Sequence, residues 1–547
     1  MQGQPETIRD AFRAAEPVVG SSPAVDDPGE LPPDEVPPVA AYQAEVLGVQ
    51  GAEFPRNDYG NGQRLVLYYG ENFLFVPRLG WFRWDGRRWA SDEDEILVRR
   101  DAQGIAARIM HEIPFLAPEF DANGNNKAAA RHATHANSSG NTGKITNMLA
   151  EAKTAKGVAV TVEDLNKDPM MLCVENGVLH FTKRKDEHSA AWDDAVEVPQ
   201  VDLLPHDRRH RITKMVKAKY DPQAKCPAWG AFLLRVLPDD EVRGFFKRWC
   251  GYNLTGLTTE QKLAFFFGQG RNGKSTAVDT LARIMGDYST TLPIESLTGT
   301  DQGKGGEATP DLVRLPGARF VRSSEPEQGQ KMKEARIKAL TGGEPIPIRR
   351  LHQEAVDLFP EFKLNISGNY QPEVRGADDG IWRRILLVPW SVQIPAEEVD
   401  PLLPQKLWAE RDGILRWMVE GCLEWMAGGL RVPAVIDEAT KEYRSESDPM
   451  RTFLQEYCRI TGSPENFETA RDLRDAFNAW LLDSGTSAWT PRHTSNSLKR
   501  RANNVKGDGG EVFYPVKRST TGYLGIQLLP KALELRANYR DQLERMK

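Results

Sequence analysis

Between residues 262 and 395 the apolar residues come in short, nearly continuous runs separated by polar turns. The runs 262–267 (KLAFFF), 318–325 (ARFVRSSE), 362–369 (FKLNISGN) and 385–388 (ILLV) have the length and content of buried strands. A strand covered on both faces shows such a run in place of strict alternation. After the first run, Ala277, Val278, Leu281, Ala282 and Met285 recur at helical spacing over 276–285, and Gly286 stands where a helix would stop. Strands alternating with helices predict an α/β core.

The pattern changes on both sides of this core. Residues 226–253 predict helices, with Trp229, Phe232, Leu233 and Val236 at one spacing and Val242, Phe245, Phe246 and Trp249 at another. Further upstream, 64–100 reads as short aromatic-rich strands, with a hairpin over 81–89 turning at Asp85-Gly86. A helix is expected over about 95–113. A low-complexity loop follows at 121–143, or a weak helix inside a loop, and 144–156 is read as helical. The segment 173–181 (CVENGVLHF) reads as strand, Asn-Gly turn, strand. Downstream, 404–428 is helical. Then 450–461, 469–484 and 494–503 predict three helices, and 512–516 with 523–528 two strands. Three helices and a two-stranded wing make a winged-helix pattern.

The expected division is therefore 1–53, a disordered acidic tail; 54–225, a mixed α+β N-terminal domain; 226–262, a helical collar; 263–400, the core; 401–447, a helical extension; 448–530, a winged helix; and 531–547, a C-terminal tail. The tail reading rests on composition. Residues 1–50 hold nine acidic and two basic residues and eight prolines. Over the whole chain, 40% hydrophobic and 27% charged residues are ordinary for a water-soluble protein, and no run is long enough to span a bilayer. No secretion signal opens the chain, so a cytoplasmic location is expected. Five scattered cysteines suggest reduced, buried thiols and no metal-ligand pair. A net charge of −6 excludes a uniformly basic nucleic-acid binder but leaves room for a local basic channel.

The chemistry centres on 268–275, GQGRNGKS, which fits Gly, four residues, then Gly-Lys-Ser. Its place between a strand and a helix is the context a phosphate loop requires. Backbone N–H groups and the helix N-terminus face phosphates. Gly268, Gly270, Asn272, Gly273, Lys274, Ser275 and Thr276 form the nucleotide-binding set. Lys274 is expected to reach the β- and γ-phosphates of ATP, and Ser275 to hold Mg²⁺. A nucleotide hydrolase also needs a carboxylate at the end of a nearby strand. Glu325 is the candidate for that role and for the metal, with Glu327 in reserve. Asn369, at the tip of another strand, suits a γ-phosphate sensor, although an Asn turn before Pro372 has the same sequence. An arginine supplied across a subunit interface can stabilise charge on the transferred phosphoryl group, and Arg383 or Arg384 could do this, although a pair of arginines before a strand is more often a surface or salt-bridge feature. Arg349, Arg350 and His352 lie on a hairpin arm that could grip a phosphate backbone, although the bare pattern more often describes a solvated hairpin. Lys499, Arg500 and Arg501 offer a basic helix in the winged region.

Taken in order, GQGRNGKST, SSEPEQG, IKALTGGEPIPIRR, NISGNYQP and GIWRRILLVPW resemble a superfamily 3 helicase. More narrowly, they are similar to the ATPase portion of phage and plasmid primase-helicases, the group that includes the poxvirus primase-helicase. Upstream, NDYGNGQRL (57–65), WFRWDGRRW (81–89), CVENGVLHF (173–181) and RWCGYNLTGLTTEQK (248–262) are similar to that family's helicase-preceding domain. The resemblance implies an AAA+-like P-loop NTPase core in a homo-oligomeric ring, expected as a hexamer. Such a ring moves 3′ to 5′ on single-stranded DNA and opens forked DNA, with ATP and Mg²⁺ between subunits. It also implies a DNA-gripping loop made of Lys338, Arg349, Arg350 and His352. Lys262 matches a basic residue that some relatives direct at the nucleotide. Ser324 stands where many members carry a second acid. The expected function is a replicative DNA helicase of a phage, plasmid or mobile element, not itself a primer synthase, with a separate primase or initiator as a possible partner and no membrane. An origin-binding initiator with little unwinding and a small-molecule P-loop kinase are the alternatives.

Overall fold

A computed structural model describes residues 38–185, 197–299, 309–349, 355–374, 379–485 and 487–545. The described residues fall into two compact units, one made of those in 38–68 and 102–151, the other of those in 69–101 and 152–545. These units cut across the stretch 54–225.

The first unit is helical where described, and a buried cation organises it. Arg64 donates through Nε to Glu112 at 3.0 Å, and its other nitrogens donate to the carbonyls of Gly51, Phe54 and Pro55. Glu112 also accepts from the Tyr68 hydroxyl at 3.0 Å and pairs with His132 Nε2 at 2.9 Å. Both charges are fully buried, so each needs the other and every spare donor needs an acceptor. Residues 38–53, expected to lack order, form the helix Pro38–Glu53. Arg64 and Tyr68 fasten that helix by its own carbonyls, at Gly51 and Leu47. Residues 1–37 lie outside the described residues. The stretch 121–143 carries a full helix, Lys127–Ser139, with Asn126 as N-cap and Ala128, His132 and Ala136 buried.

In the second unit, Phe73–Val76, Gly80–Trp84 and Trp89–Ser91 form an antiparallel sheet, with Gly86 at φ +92° in the expected turn. Met171–Val174, Gly177–Lys185 and Glu197–Leu204 form a second one. The helices Pro227–Val236 and Asp240–Tyr252 lead into the central sheet. That sheet has five parallel strands in the order Ile385–Pro389, Leu263–Phe267, Lys363–Gly368, Phe320–Ser323, Ser289–Leu292. It is an α/β sheet of the NTPase-like kind, covered on both faces. Ala264, Phe266, Leu386 and Val388 face a core shared with the helices Lys274–Met285, Asp240–Tyr252 and Arg411–Gly428. Leu263, Phe265, Leu364, Ile366 and Leu387 face the other core, with Tyr443 of the helix Ala434–Ser447. Leu263–Phe267 and Ile385–Pro389 thus alternate between two apolar faces, which explains their continuous runs in the sequence. A buried polar chain ties the preceding helix to the sheet: Trp249 Nε1 donates to Asn365 Oδ1 at 2.7 Å, and Asn365 Nδ2 to Asn253 Oδ1 at 3.1 Å.

A third core follows at the C-terminus. Helices Pro449–Glu456, Ala470–Asp483 and Pro491–Arg501 accompany an antiparallel sheet ordered Phe467–Thr469, Thr521–Leu524, Tyr514–Lys517. Residues 531–545, within the stretch expected as a tail, belong to a helix, Pro530–Arg545. It is held by Ala532 in the core and by Arg536 and Arg540 on Asp472 and Asp475. Among the described residues, no helix is long and apolar enough to cross a membrane.

Candidate nucleotide site

Because all five strands are parallel, their C-terminal ends share one rim. The phosphate loop leaves Phe267 there, Glu325 follows Ser323, and Asn369 follows Gly368. Neighbouring strands lie about 4.8 Å apart, so Glu325 stands two strands, roughly 10 Å, from the strand feeding the loop. Asn369 sits on the strand between them.

The side chains follow that order. Lys274 Nζ donates to Gly268 O and, at 3.0 Å, to Asn369 Oδ1. The backbone N–H of Asn369 donates to Glu325 Oε1 at 2.7 Å. Burial holds the Lys274 ammonium below its ordinary pKa, and the Glu325 carboxylate pulls it back up. A partly desolvated cation resting on a carbonyl and an amide oxygen is a ready partner for an anion.

The loop is built for close approach. Gly270 and Gly273 have φ +77° and +79°. A Cβ on Gly268 would lie 2.1 Å from the Trp390 carbonyl oxygen and 2.6 Å from Asn272 Nδ2. Asn272 is buried, donating to Trp390 O at 3.2 Å and accepting from Lys274 N at 3.4 Å. No side chain of Gly273, the N-cap residue, caps the helix Lys274–Met285, so its first turn is left for an anion. Ser275 is exposed and Thr276 half-buried at this opening, and Glu325 and Glu327 are exposed. These donors fit a triphosphate, and the Ser275 hydroxyl with the Glu325 carboxylate fits a hard cation such as Mg²⁺. Sequence reasoning missed Trp390, whose carbonyl locks the loop through Asn272. A carbonyl's role leaves no mark on residue type.

The arginine pair lies at the opposite rim, at the start of the strand Ile385–Pro389. Its two members differ. Arg384 is 8% exposed, donating to Thr341 Oγ1 at 3.1 Å and Gly380 O at 2.6 Å. That disagrees with Arg384 as a group reaching into a neighbour. Arg383 is exposed and donates to Gln261 Oε1 at 3.2 Å. Lys262 also sits at this rim, donating to Arg383 O at 2.6 Å, away from the phosphate loop of its own chain.

The expected hairpin pairs Ile346–Arg349 with Ala355–Leu358. Arg349 is exposed at its end, and its backbone N–H donates to Thr309 Oγ1 at 2.9 Å. Lys338 is half-buried on the helix Glu334–Gly342. Arg350 and His352 lie outside the described residues. In the C-terminal region Lys499 and Arg500 are exposed, but Arg501 is buried. Arg501 donates to Asp448 Oδ1 at 2.6 and 3.1 Å, so its guanidinium is committed to the core and not to DNA.

The motif NDYGNGQRL also gains a physical meaning. Asn57 Oδ1 accepts from Gly60 N at 2.8 Å, and a Cβ on Gly60 would meet Pro55 O at 1.9 Å. Asn61 contacts Ser139 and His135, and Arg64 is the buried clamp.

Residues 62–238 match the family described as D5 N terminal like. The chain is similar to "Putative helicase 022R" of Frog virus 3, at 28% identity over 54% of this chain and 30% of that protein. It is similar to "Putative helicase L207/L206" of Acanthamoeba polyphaga mimivirus, at 26% identity over 47% of this chain and 28% of that protein. It also resembles "Putative primase C962R" of African swine fever virus, at 22% identity over 63% of this chain and 36% of that protein. The chain spans about a third of the length of these curated relatives. A solved structure, the apo C-terminal region of NrS-1, aligns at TM-score 0.35 and 12% identity over 70% of this chain and 89% of that one.

Proposed function

We propose that this D5-like primase-helicase relative is an ATP-driven DNA motor whose AAA+-like cores assemble in a ring and translocate on single-stranded DNA. One observation carries the reading. Lys274, Asn369 and Glu325 are linked at one rim of the sheet, and the exposed Arg383 stands at the other. A five-residue strand separates the rims by about 15 Å. Arg383 therefore cannot serve its own nucleotide. Its exposure at the far rim supports a role at the nucleotide of an adjacent copy, with each site a seam between two chains.

In this reading Lys274 leaves Gly268 O and Asn369 Oδ1 for the β- and γ-phosphates of ATP. Asn369 then turns its amide to the γ-phosphate and the attacking water. Glu325, held by the Asn369 backbone, orients that water and accepts its proton. Ser275 and Glu325 are the side chains to hold Mg²⁺, which when bound neutralises charge on the phosphate oxygens. Arg383 of the adjacent copy adds charge stabilisation as the phosphoryl group transfers. The hairpin 346–358 is the candidate for gripping DNA, through Arg349 with Arg350 and His352, with Lys338 at its base. The polarity, 3′ to 5′, and a hexamer follow the superfamily 3 resemblance. Residues 449–528 support a winged-helix reading in which Lys499 and Arg500 meet DNA.

Hydrolysis with and without single-stranded DNA, together with displacement of a labelled strand from a forked duplex, tests this. Stimulated turnover and ATP-dependent displacement are expected. Stimulation without displacement would favour an origin-binding initiator, and turnover indifferent to DNA would refute the motor.

A further inference from the structure

Away from the nucleotide site, a shallow groove of about 630 Å³ combines tryptophan with arginine. Trp89 forms its floor, nearly buried, with Nε1 donating to Arg208 O at 2.9 Å. Trp84, half-buried, forms a wall, its ring centroid 5.7 Å from that of Trp89 and tilted by 59°. Arg208, Arg209 and Arg211 crowd one rim. The single turn Arg208–His210 is capped by Asp207, and Arg211 adopts a left-handed φ of +49°.

The arginines pair with carboxylates at the exposed edge. Arg209, its side chain 89% exposed, holds Asp207 in a forked pair, through Nε at 2.9 and 3.0 Å and through Nη2, and Arg211 faces Asp164 at 3.4 Å. Exposed pairs of this kind are weak, so a phosphate can take their place. Arg208 reaches Glu71 at 3.1 Å and lies 5.9 Å from the Trp84 ring centroid. Its Nε is buried and has no hydrogen-bond partner among the described residues.

We propose that this groove takes one nucleotide of a single strand, the base against Trp84 and the phosphate on Arg209 and Arg211. Aromatic faces beside a cationic rim are what strand binding without sequence preference uses. A duplex keeps its bases stacked on each other, so an unpaired strand is the form that can offer one. The inference rests on the reading of the chain as a motor on single strands.

The test uses the full chain and a fluorescein-labelled oligothymidine carrying 5-bromodeoxyuridine. Irradiation is expected to cross-link the peptide spanning 80–91. Trp84→Ala should weaken oligonucleotide binding about tenfold, within the range of one lost base stack. Arg209→Glu, on an exposed side chain, should do likewise with an unchanged melting temperature, so a folding defect in the first variant cannot decide the matter. Cross-links confined to other regions, or parental binding by Arg209→Glu, would overturn the groove. Full competition by free thymidine monophosphate would overturn the strand in favour of a mononucleotide. A cross-link at 80–91 in a chain whose hydrolysis ignores DNA would sink the motor reading and leave the groove standing.

Discussion

Two glycines of the phosphate loop should respond to the same substitution for different reasons. In Gly268→Ala the added methyl meets the Trp390 carbonyl oxygen at 2.1 Å, roughly 1 Å inside any contact a Cβ normally makes. Trp390 cannot retreat, because its N–H donates to Phe267 O at 2.7 Å and its side chain is 1% exposed. The loop backbone at Gly268 must shift instead, and Asn272, whose Nδ2 lies 2.6 Å from the added methyl, gives up its bond to Trp390 O. Overpacking of this kind costs about 1–3 kcal/mol, and the lost hydrogen bond about 1 kcal/mol more. If the loop bears that whole cost, nucleotide affinity falls about 30- to 1,000-fold. Gly270→Ala meets nothing within 4 Å, but φ is +77°. Its cost is the left-handed penalty alone, about 1–2 kcal/mol, or about 5- to 30-fold. Titration of the full chain with a fluorescent ATP analogue reads both effects, with denaturant unfolding to report on global stability. Parental affinity in Gly268→Ala, or a larger loss in Gly270→Ala, would refute the argument.

The arginine pair separates stability from turnover. Arg384→Ala should lower the unfolding free energy by about 2–4 kcal/mol, since Thr341 and Gly380 lose a buried charged donor. Arg383→Ala should melt within about 0.5 kcal/mol of the parent yet lose on the order of 10³-fold in hydrolysis; the reverse pattern would exchange their roles. In the first unit, Arg64→Met takes the guanidinium from the buried Glu112 and leaves it only Tyr68 and His132, for a loss of about 3–5 kcal/mol. Hydrogen exchange should report it over residues 38–68 and 102–151, and unchanged protection there would contradict the clamp. His135, its pKa lowered to about 4 chiefly by burial and then by Arg64 and His132, is harder to protonate folded than unfolded. The unfolded chain then binds more protons, so this unit should weaken as pH falls from about 6.5 toward 4. Replacing His135 with Asn should flatten that slope, and an unaltered slope would assign it to other groups.

The core was readable because a doubly covered parallel sheet leaves unbroken apolar runs, and because a phosphate loop fixes residue types at fixed spacing. Lys274, Asn369 and Glu325 are far apart in sequence, and strand order brings them to one rim. What the sequence hid was contact made through backbone. The Trp390 carbonyl, the carbonyls that Arg64 collects and the Gly380 carbonyl that Arg384 meets carry no signature in residue type. For the same reason Arg383 and Arg384 read alike until burial told them apart, and so did Arg500 and Arg501. The helix Pro38–Glu53 was lost to composition: a stretch counted as acidic and proline-rich over fifty residues ends in alanine-rich sequence that Arg64 and Tyr68 hold in place.

The seam itself is open to a direct measurement. Lys274→Ala and Arg383→Ala chains, each inactive alone, are mixed in equal amounts, and DNA-stimulated ATP hydrolysis is followed. If loop and arginine come from different copies, random assembly pairs an intact loop with an intact arginine at about a quarter of the sites. Hydrolysis should therefore return to about a quarter of the parental rate. A mixture as dead as its components would place both groups in one chain and contradict the account.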